Sequence, residues 1–277
     1  MTNWLITGVS GGLGRALAEA ALARGDRVAG TVRKTADLAA FESLAGAGRA
    51  RGFLADMTDE AAIHAAVEAA EAAIGPLDVL VANAGYGLVG AVEEASLSEV
   101  RAQFEVNVFG PIAVMQAVLP HFRARKAGHI IAITSVSGVA VWGGTGIYCG
   151  SKHALEGVVR TLAQEVAELG IKVTCVEPGG IRTNFAGGSK TITQARIADY
   201  DGVARDAQRI MADHAGHEPG DPAKMAAAIL AIAGSAAPPL QLLLGADAIG
   251  YASQQMAQFQ TEIGQWAKLS LSTGFED

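Results

Sequence analysis

Thr7-Gly8-Val9-Ser10-Gly11-Gly12-Leu13-Gly14 is the stretch that decides the fold. Before it stands Trp4-Leu5-Ile6, which with Thr7 reads as a buried strand. After it comes the alanine-rich stretch Leu13 to Arg24, which reads as a helix closed by Gly25. Four glycines in seven residues let the backbone turn sharply and approach a ligand with no Cβ in the way. The helix aims its unpaired N–H groups and the positive end of its dipole at the turn, which suits a pyrophosphate. In isolation the same turn could be an ordinary strand–helix junction, so the neighbouring segments decide.

Those segments repeat the alternation. Arg27 to Val32 reads as a second strand, Ala36 to Leu44 as helix and Gly52 to Ala55 as a third strand. Asp59 to Ile74 is a strong helix pattern, with Thr58 the expected N-cap and Gly75-Pro76 the stop. Val79 to Ala82 is a fourth strand. Ser96-Leu97-Ser98-Glu99 has the capping-box pattern and opens a helix expected to reach about Arg125, disturbed at Pro111 and Pro120. His129 to Thr134, Ile171 to Val176 and Leu240 to Leu244 read as strands; Tyr148 to Leu169 and Pro222 to Ala233 read as helices. Unalternated apolar runs mean strands buried on both faces. Strand–helix alternation then predicts an α/β fold: one Rossmann-like, doubly wound parallel sheet of about seven strands, with helices on both faces.

No linker or solenoid-period repeat divides the 277 residues, so 1–277 is expected to be one domain. Within it, 184–220 reads as a loop or lid, with Gly187-Gly188 as its hinge, and 246–277 as a C-terminal extension. That extension carries Met256, Phe259, Ile263 and Trp266 at helical spacing, a stripe expected to pack within the chain.

Composition excludes several function classes. The 21 basic and 28 acidic residues leave 21 − 28 = −7, against a broad grip on nucleic acid or anionic lipid. Half the residues are hydrophobic, ample for a core. No run approaches ~18 uninterrupted apolar residues, and the most apolar helical candidate, Met225 to Ala233, is too short to span a bilayer. Only Met1, Thr2 and Asn3 precede the first strand, so no leader is expected. Two cysteines, Cys149 and Cys175, make neither a disulfide framework nor a metal spacing, and His214 and His217 lack further ligands. The chain is expected to be cytoplasmic and metal-free, with no nucleic-acid or membrane partner.

Tyr148 and Lys152 lie four apart in a predicted helix and share a face. An ammonium beside a phenol favours phenolate, and lowering the phenol by about three pKa units would need ~4 kcal/mol. Ser135 stands thirteen residues before Tyr148, at the strand end where ligands of a parallel sheet sit. With 4 Tyr, 7 Lys and 12 Ser in the chain, this Ser–Tyr–Lys spacing is expected only ~0.005 times by chance, so coincidence explains it poorly.

Together with the Gly8-x-x-x-Gly12-x-Gly14 loop, these residues resemble the classical short-chain dehydrogenase/reductase family over roughly residues 3 to 245. The resemblance implies an oxidoreductase that moves hydride between a nicotinamide and a C=O/CH–OH pair. Tyr148 would be the acid/base, Ser135 would polarise the carbonyl, and Lys152 would bind the nicotinamide ribose and depress the Tyr148 pKa. Asn107 would hold a proton-relay water. Ser137 is the rival serine. Gly8, Ser10, Gly12, Leu13 and Gly14 would meet the dinucleotide, with Tyr148 and Lys152 also in contact with it. Asp56-Met57 would meet adenine, and Asn83-Ala84-Gly85 would support the adenosine side. Pro178, Gly179, Ile181 and Thr183 would hold the nicotinamide amide.

An acid at the end of the second strand would select the free ribose 2′-hydroxyl. Val32 stands there, followed by Arg33, which can fork onto a phosphate. The expected cofactor is therefore NADP(H), with NAD(H) second. Tyr86, Val136, Ser137, Trp142 and Phe185 are the expected pocket lining, bulky and largely apolar, which favours a hydrophobic ketone or secondary alcohol. A ketoacyl-type reductase and a non-catalytic dinucleotide-sensing regulator are the alternatives. The resemblance further implies a homodimer or homotetramer built through the helices at 98–125 and 148–169.

Overall fold

The computed structural model describes residues 1–183, 190–213 and 215–275. The first half alternates without exception: β1 (Asn3–Thr7), α1 (Gly12–Ala23), β2 (Arg27–Val32), α2 (Ala36–Glu42), β3 (Ala50–Leu54), α3 (Glu60–Ile74) and β4 (Val79–Ala82). There follow β5 (Gly87–Val89), α4 (Leu97–Phe104), α5 (Gly110–Arg125), β6 (Gly128–Ile133), α6 (Gly146–Glu165), β7 (Ile171–Pro178) and β8 (Lys190–Ile192). Then come α7 (Asp201–Asp213), α8 (Pro222–Ala233), β9 (Gln241–Leu244) and α9 (Ala246–Leu271).

Seven strands form one parallel sheet in the order β3-β2-β1-β4-β6-β7-β9. The doubly wound class expected from the sequence is the class observed. Strand order reverses between β1 and β4, which pair with Trp4 opposite Val79 and Ile6 opposite Val81. Loops leaving these two strands diverge to opposite faces and open a crevice at the carboxyl edge. The unbroken apolar runs are explained by the period of two in a strand. Leu5, Leu80 and Ile130 face a core built with Val67 of α3, Val118 of α5 and Val159 of α6. Their neighbours Trp4, Ile6, Val81 and Ile131 face a second core built with Leu17 and Ala21 of α1 and Ile229 of α8.

Several boundaries differ from expectation. Asp59, not Thr58, caps α3, accepting a hydrogen bond from Ala62 N at 3.0 Å; the Thr58 hydroxyl donates instead to Asp56 at 2.8 Å. The Ser96/Glu99 capping box opens α4, with Ser96 N donating to Glu99 at 2.9 Å. The disturbance near Pro111 is a π-helical turn at Glu105–Phe109; Pro111 then sits in the first turn of α5, where its missing N–H costs little. Pro120 stays within the helix. The combined span Leu97–Arg125 is long and apolar enough, by length and composition, to cross a membrane, and half of its apolar window is buried inside the fold. Counting uninterrupted runs passes over it because Asn107, Pro111 and Gln116 break the run.

The sequence carries no strand signal for β5 and β8, and the expected packing of the C-terminal stripe is overturned. β5 and β8 pair into a small parallel sheet. The Met256–Trp266 stripe does not pack within the chain: α9 buries Ala248 and Ala252, and beyond them its large apolar side chains are exposed.

Two carboxylates are buried between α6, β7 and β9. Gln241 Nε2 donates to Glu156 at 3.1 Å and to Glu177 at 2.8 Å. Burial pushes Glu177 up to about 7, the Gln241 hydrogen bond opposes this, and the neighbouring Glu156 charge adds to it. A carboxyl that holds its proton more tightly when folded contributes stability that is full below its ordinary value of 4.5 and is lost as pH rises through about 7. The Glu177→Gln variant should therefore gain in melting temperature relative to the parent chain as pH rises from about 5 to about 8. Thermal melts across that range check this; a constant difference between the two proteins contradicts it.

Candidate active site

The crevice is stapled shut at its base by Thr7 and Asn83. Thr7 Oγ1 accepts from the backbone N–H of Asn83 at 2.9 Å and of Ala84 at 3.0 Å. Asn83 Nδ2 donates back to the carbonyls of Thr7 at 2.8 Å and Gly8 at 3.3 Å. This explains two glycines. A Cβ on Gly14 would lie 2.4 Å from Asn83 Nδ2 and 2.5 Å from the Gly8 carbonyl, and Gly8 itself has φ +74° against Ala84. Gly12 has φ +60°, and a Cβ on it would lie 3.8 Å from the Thr183 side chain, so the first loop and the loop after β7 meet across the crevice. No side chain caps α1 at Gly11. Its first-turn N–H groups, beside the exposed Ser10, face outward over backbone that carries no side chains, while the Leu13 side chain anchors the helix in the core.

At the end of β2, Val32 is buried and Arg33 is exposed. Asp56 accepts from Thr58 N at 2.9 Å as well as from its hydroxyl. The Thr58 backbone bond chiefly holds the Asp56 carboxyl below its ordinary range, with the Arg33 cation contributing. The Met57 side chain, expected among the cofactor contacts, turns into the core beside Gly110, leaving no side-chain contact to offer.

Ser135, Tyr148 and Lys152 come together at the ends of β6 and α6. Ser135 is buried after β6; its Oγ accepts from Ser137 N at 3.0 Å and is hydrogen-bonded to Tyr148. Ser137, the rival serine, thus positions Ser135 through its backbone. Lys152 Nζ is 6.0 Å from the Tyr148 ring centroid and donates to the Ile133 carbonyl at 2.9 Å. The expected depression of the Tyr148 phenol is not observed. Desolvation pushes it up to about 12, with the Ser135 bond opposing, and burial pushes Lys152 down to about 8. The ammonium is turned toward the Ile133 carbonyl, and burial dominates the shift of each group.

Asn107 sits in the π-helical turn, fully buried. Its Nδ2 donates to the Tyr86 carbonyl at 2.9 Å and to Ser151 Oγ at 3.2 Å, and its Oδ1 accepts from Tyr86 N at 3.1 Å. Asn107 Oδ1 and Lys152 Nζ both border Gly85: a Cβ there would lie 3.1 Å and 3.7 Å from them. The glycine leaves the gap between amide and ammonium open.

The strand β7 delivers Pro178-Gly179-Gly180 to the same edge. Gly180 N donates to Asp247 at 2.7 Å, and the Asp247 carboxylate occupies the space a Gly179 side chain would need. Ile181 bridges to Gly220. Asp247 lies beyond the motif-bearing region, and only its place in the first turn of the predicted tail helix could have flagged it. Gln103, which clamps Leu88 N and the Tyr86 carbonyl, and Thr7 were equally silent in the sequence.

Among the expected pocket residues, Tyr86 is fixed by its backbone bonds to Asn107. Val136 packs with Ala140 and Ala248, and Trp142 meets Tyr251 of α9 edge-on at 5.1 Å. The root of α9 is thus a wall of this region. Phe185, Gly187-Gly188 and His214 lie outside the described residues. The described part of 184–220 docks beside the loop that follows β6: Val203, Ala204 and Ala207 of α7 lie against Gly143 and Gly144. Buried Glu94 holds it, accepting from Ile197 N at 2.9 Å and Ala91 N at 3.0 Å and pairing with Arg205. The Ile197 bond chiefly keeps that carboxyl below its ordinary range. Among the described residues, no group of three His, Cys, Asp or Glu side chains is arranged to hold a metal.

The sequence profile for short chain dehydrogenases matches residues 2–192. Oxidoreductase BOA17 of Botryotinia fuckeliana is 38% identical over 273 residues, covering 98% of each chain. Retinol dehydrogenase 8 of Bos taurus is 36% identical over 178 residues, 60% of this chain and 55% of that protein. A 3-ketodihydrosphingosine reductase of Bacteroides thetaiotaomicron is 39% identical over 181 residues, 65% of this chain and 64% of the relative. The crystal structure of a short-chain dehydrogenase from Streptomyces avermitilis superposes with a TM-score of 0.92 at 39% identity, covering 99% of this chain and 100% of that one. One from Burkholderia phymatum, in complex with NAD, shares the fold at a TM-score of 0.83 and 23% identity, over 94% and 95% of the chains. With its glycine loop, its sheet order and its Ser–Tyr–Lys set at one edge, this chain belongs to the short-chain dehydrogenase family of oxidoreductases.

Proposed function

We propose that this chain reduces a hydrophobic ketone, or oxidises the matching secondary alcohol, with NADP(H) as cofactor and Tyr148 as acid and base. The observation that carries this reading is the hydrogen-bonded Ser135–Tyr148 pair with Lys152 one helical turn on, at the carboxyl edge of the sheet. The crevice fits a dinucleotide on its own geometry: Gly8, Gly12 and Gly14 clear a cradle over an uncapped helix start, and Gly85 leaves room before Lys152. Gly8, Ser10, Gly12, Leu13 and Gly14 would hold the phosphates, Asp56 the adenine side, and Pro178, Gly179, Ile181 and Thr183 the nicotinamide end. When bound, the nicotinamide supplies or accepts the hydride.

The chain's own residues do the rest. A phenol near 12 is protonated at neutral pH, the form that reduction requires. Ser135 Oγ donates to the carbonyl oxygen and fixes it beside the Tyr148 hydroxyl, which delivers its proton as that oxygen becomes an alkoxide. For oxidation, Lys152 turns from Ile133 toward Tyr148 and the ribose, lowering the phenol so that it can accept a proton. Asn107 Oδ1, across the Gly85 gap, holds the water through which Lys152 is resupplied.

Arg33 supports NADP(H). It stands exposed at the end of β2, where an acid would repel a 2′-phosphate, and it makes no ion pair among the described residues. Relatives named for retinol and for 3-ketodihydrosphingosine support an alcohol or ketone substrate. The apolar Val136, Trp142 and α7 surroundings support a hydrophobic one. We assign the whole of 1–277 to one domain acting on small molecules, as a homodimer or homotetramer through the faces of 98–125 and 148–169.

NADPH consumption with a panel of aryl and long-chain ketones tests the activity. Turnover supports the reading; tight NADPH binding with no turnover on any member would make the chain a dinucleotide sensor, and turnover confined to acyl-carrier ketoacyl substrates would make it a ketoacyl reductase. Tyr148→Phe should lower kcat by on the order of 10²–10⁴ while NADPH affinity stays within a few-fold, as read by fluorescence titration. Retained turnover would remove Tyr148 from its role. Arg33→Asp should reverse the ratio of kcat/KM for NADPH over NADH; an unchanged ratio would remove the phosphate contact.

A further inference from the structure

The helix α9 leaves the body after about two turns. Its Ala248 and Ala252 are buried, and beyond them Met256 is 65% exposed, Phe259 62%, Ile263 47% and Trp266 62%. A projecting helix with one bare apolar face calls for a covering surface. From this geometry we infer that the face pairs with the same helix of a second copy, antiparallel, as an interface separate from the helices at 98–125 and 148–169.

The spacing carries this. Ala252, Met256, Phe259, Ile263, Trp266 and Ser270 follow one another at intervals of 4, 3, 4, 3 and 4. That is a heptad seam, the pattern by which helices pair knobs-into-holes, rather than the broader stripe of a helix laid on a globular core. The series also reads the same in both directions about position 261. In an antiparallel pair centred there, Phe259 meets Ile263 of the other copy and Met256 meets Trp266. Every large side chain of the exposed seam faces a large one, which is the self-complementarity a two-fold interface demands.

The area is sufficient. With flanking Ile249, Tyr251 and Leu269, all exposed, the face offers on the order of 700 Å² per copy, close to the roughly 800 Å² per partner of a standard stable complex. Charge disfavours a lipid surface. From Ser253 to Phe275 the charged residues are Glu262 and Lys268 alone, and the polar side is mostly glutamine, without the Lys/Arg border of helices that lie on membranes.

Sedimentation equilibrium of the full chain at tens of micromolar, with and without neutral phosphatidylcholine vesicles, tests the pairing. The expected result is a dimer or tetramer whose mass falls about twofold in the Phe259→Glu/Trp266→Glu variant, while NADPH affinity and helix content outside α9 are unchanged. A monomeric parent chain, a mass indifferent to the double variant, or vesicle binding by a monomer through this face would each overturn the inference. Register is read by disulfide trapping, since Cys149 and Cys175 are buried. A mixture of Phe259→Cys and Ile263→Cys chains should cross-link, and Phe259→Cys alone should not; efficient trapping by Phe259→Cys alone would mean a parallel pair and overturn the antiparallel arrangement.

Discussion

Thr7 and Asn83 hold together the two loops that must separate for this sheet to bind anything. Strand order reverses between β1 and β4, so the chain leaving β1 turns toward one face and the chain leaving β4 toward the other. Without a tie, the crevice between them would be an open seam of backbone groups. Four hydrogen bonds between Thr7, Gly8, Asn83 and Ala84 make that tie, each worth ~1 kcal/mol net. They also set the space that Gly14 must leave empty. The uncapped start of α1 is then aimed across a rigid floor, and Gly85, next along from the same tie, leaves room between Asn107 and Lys152.

The second determinant is desolvation. The Ser135, Tyr148 and Lys152 set is held where charging either Tyr148 or Lys152 is costly, so both rest nearer their neutral forms than in water. The same physics acts one turn further along α6, where Glu156 and Glu177 share a single amide donor. Little solvent screens charges in such a site, so a movement of Lys152 from the Ile133 carbonyl toward Tyr148 would act strongly on the phenol.

Much of this was legible in the residues, for identifiable reasons. The parallel sheet showed itself because strands buried on both faces must be continuously apolar, and Trp4–Thr7, Val79–Ala82 and His129–Thr134 are nearly so. The Ser135, Tyr148 and Lys152 set was legible because its chemistry requires a fixed spacing along one helix and one strand end. What escaped was decided by contacts distant in sequence. Asp247 fills the hollow at Gly179 from 68 residues away, and Glu94 holds Arg205 across 111 residues. The Met57 side chain faces inward because Gly110 makes space for it. The direction of the Tyr148 shift could not be read from a Tyr–Lys spacing, since it depends on how much water the surrounding fold excludes. The α9 stripe was visible as a pattern, but whether the chain itself covers it is a property of the whole fold.

The most direct test of the central claim is a crystal structure of the chain with NADP⁺ and a ketone or alcohol bound. The expected result is the pyrophosphate over Gly12 at the start of α1, and the substrate oxygen within hydrogen-bond reach of both Ser135 Oγ and the Tyr148 hydroxyl, with C4 of the nicotinamide facing the substrate carbon. A dinucleotide bound with its nicotinamide away from Tyr148, or a substrate oxygen held by other groups, would contradict it.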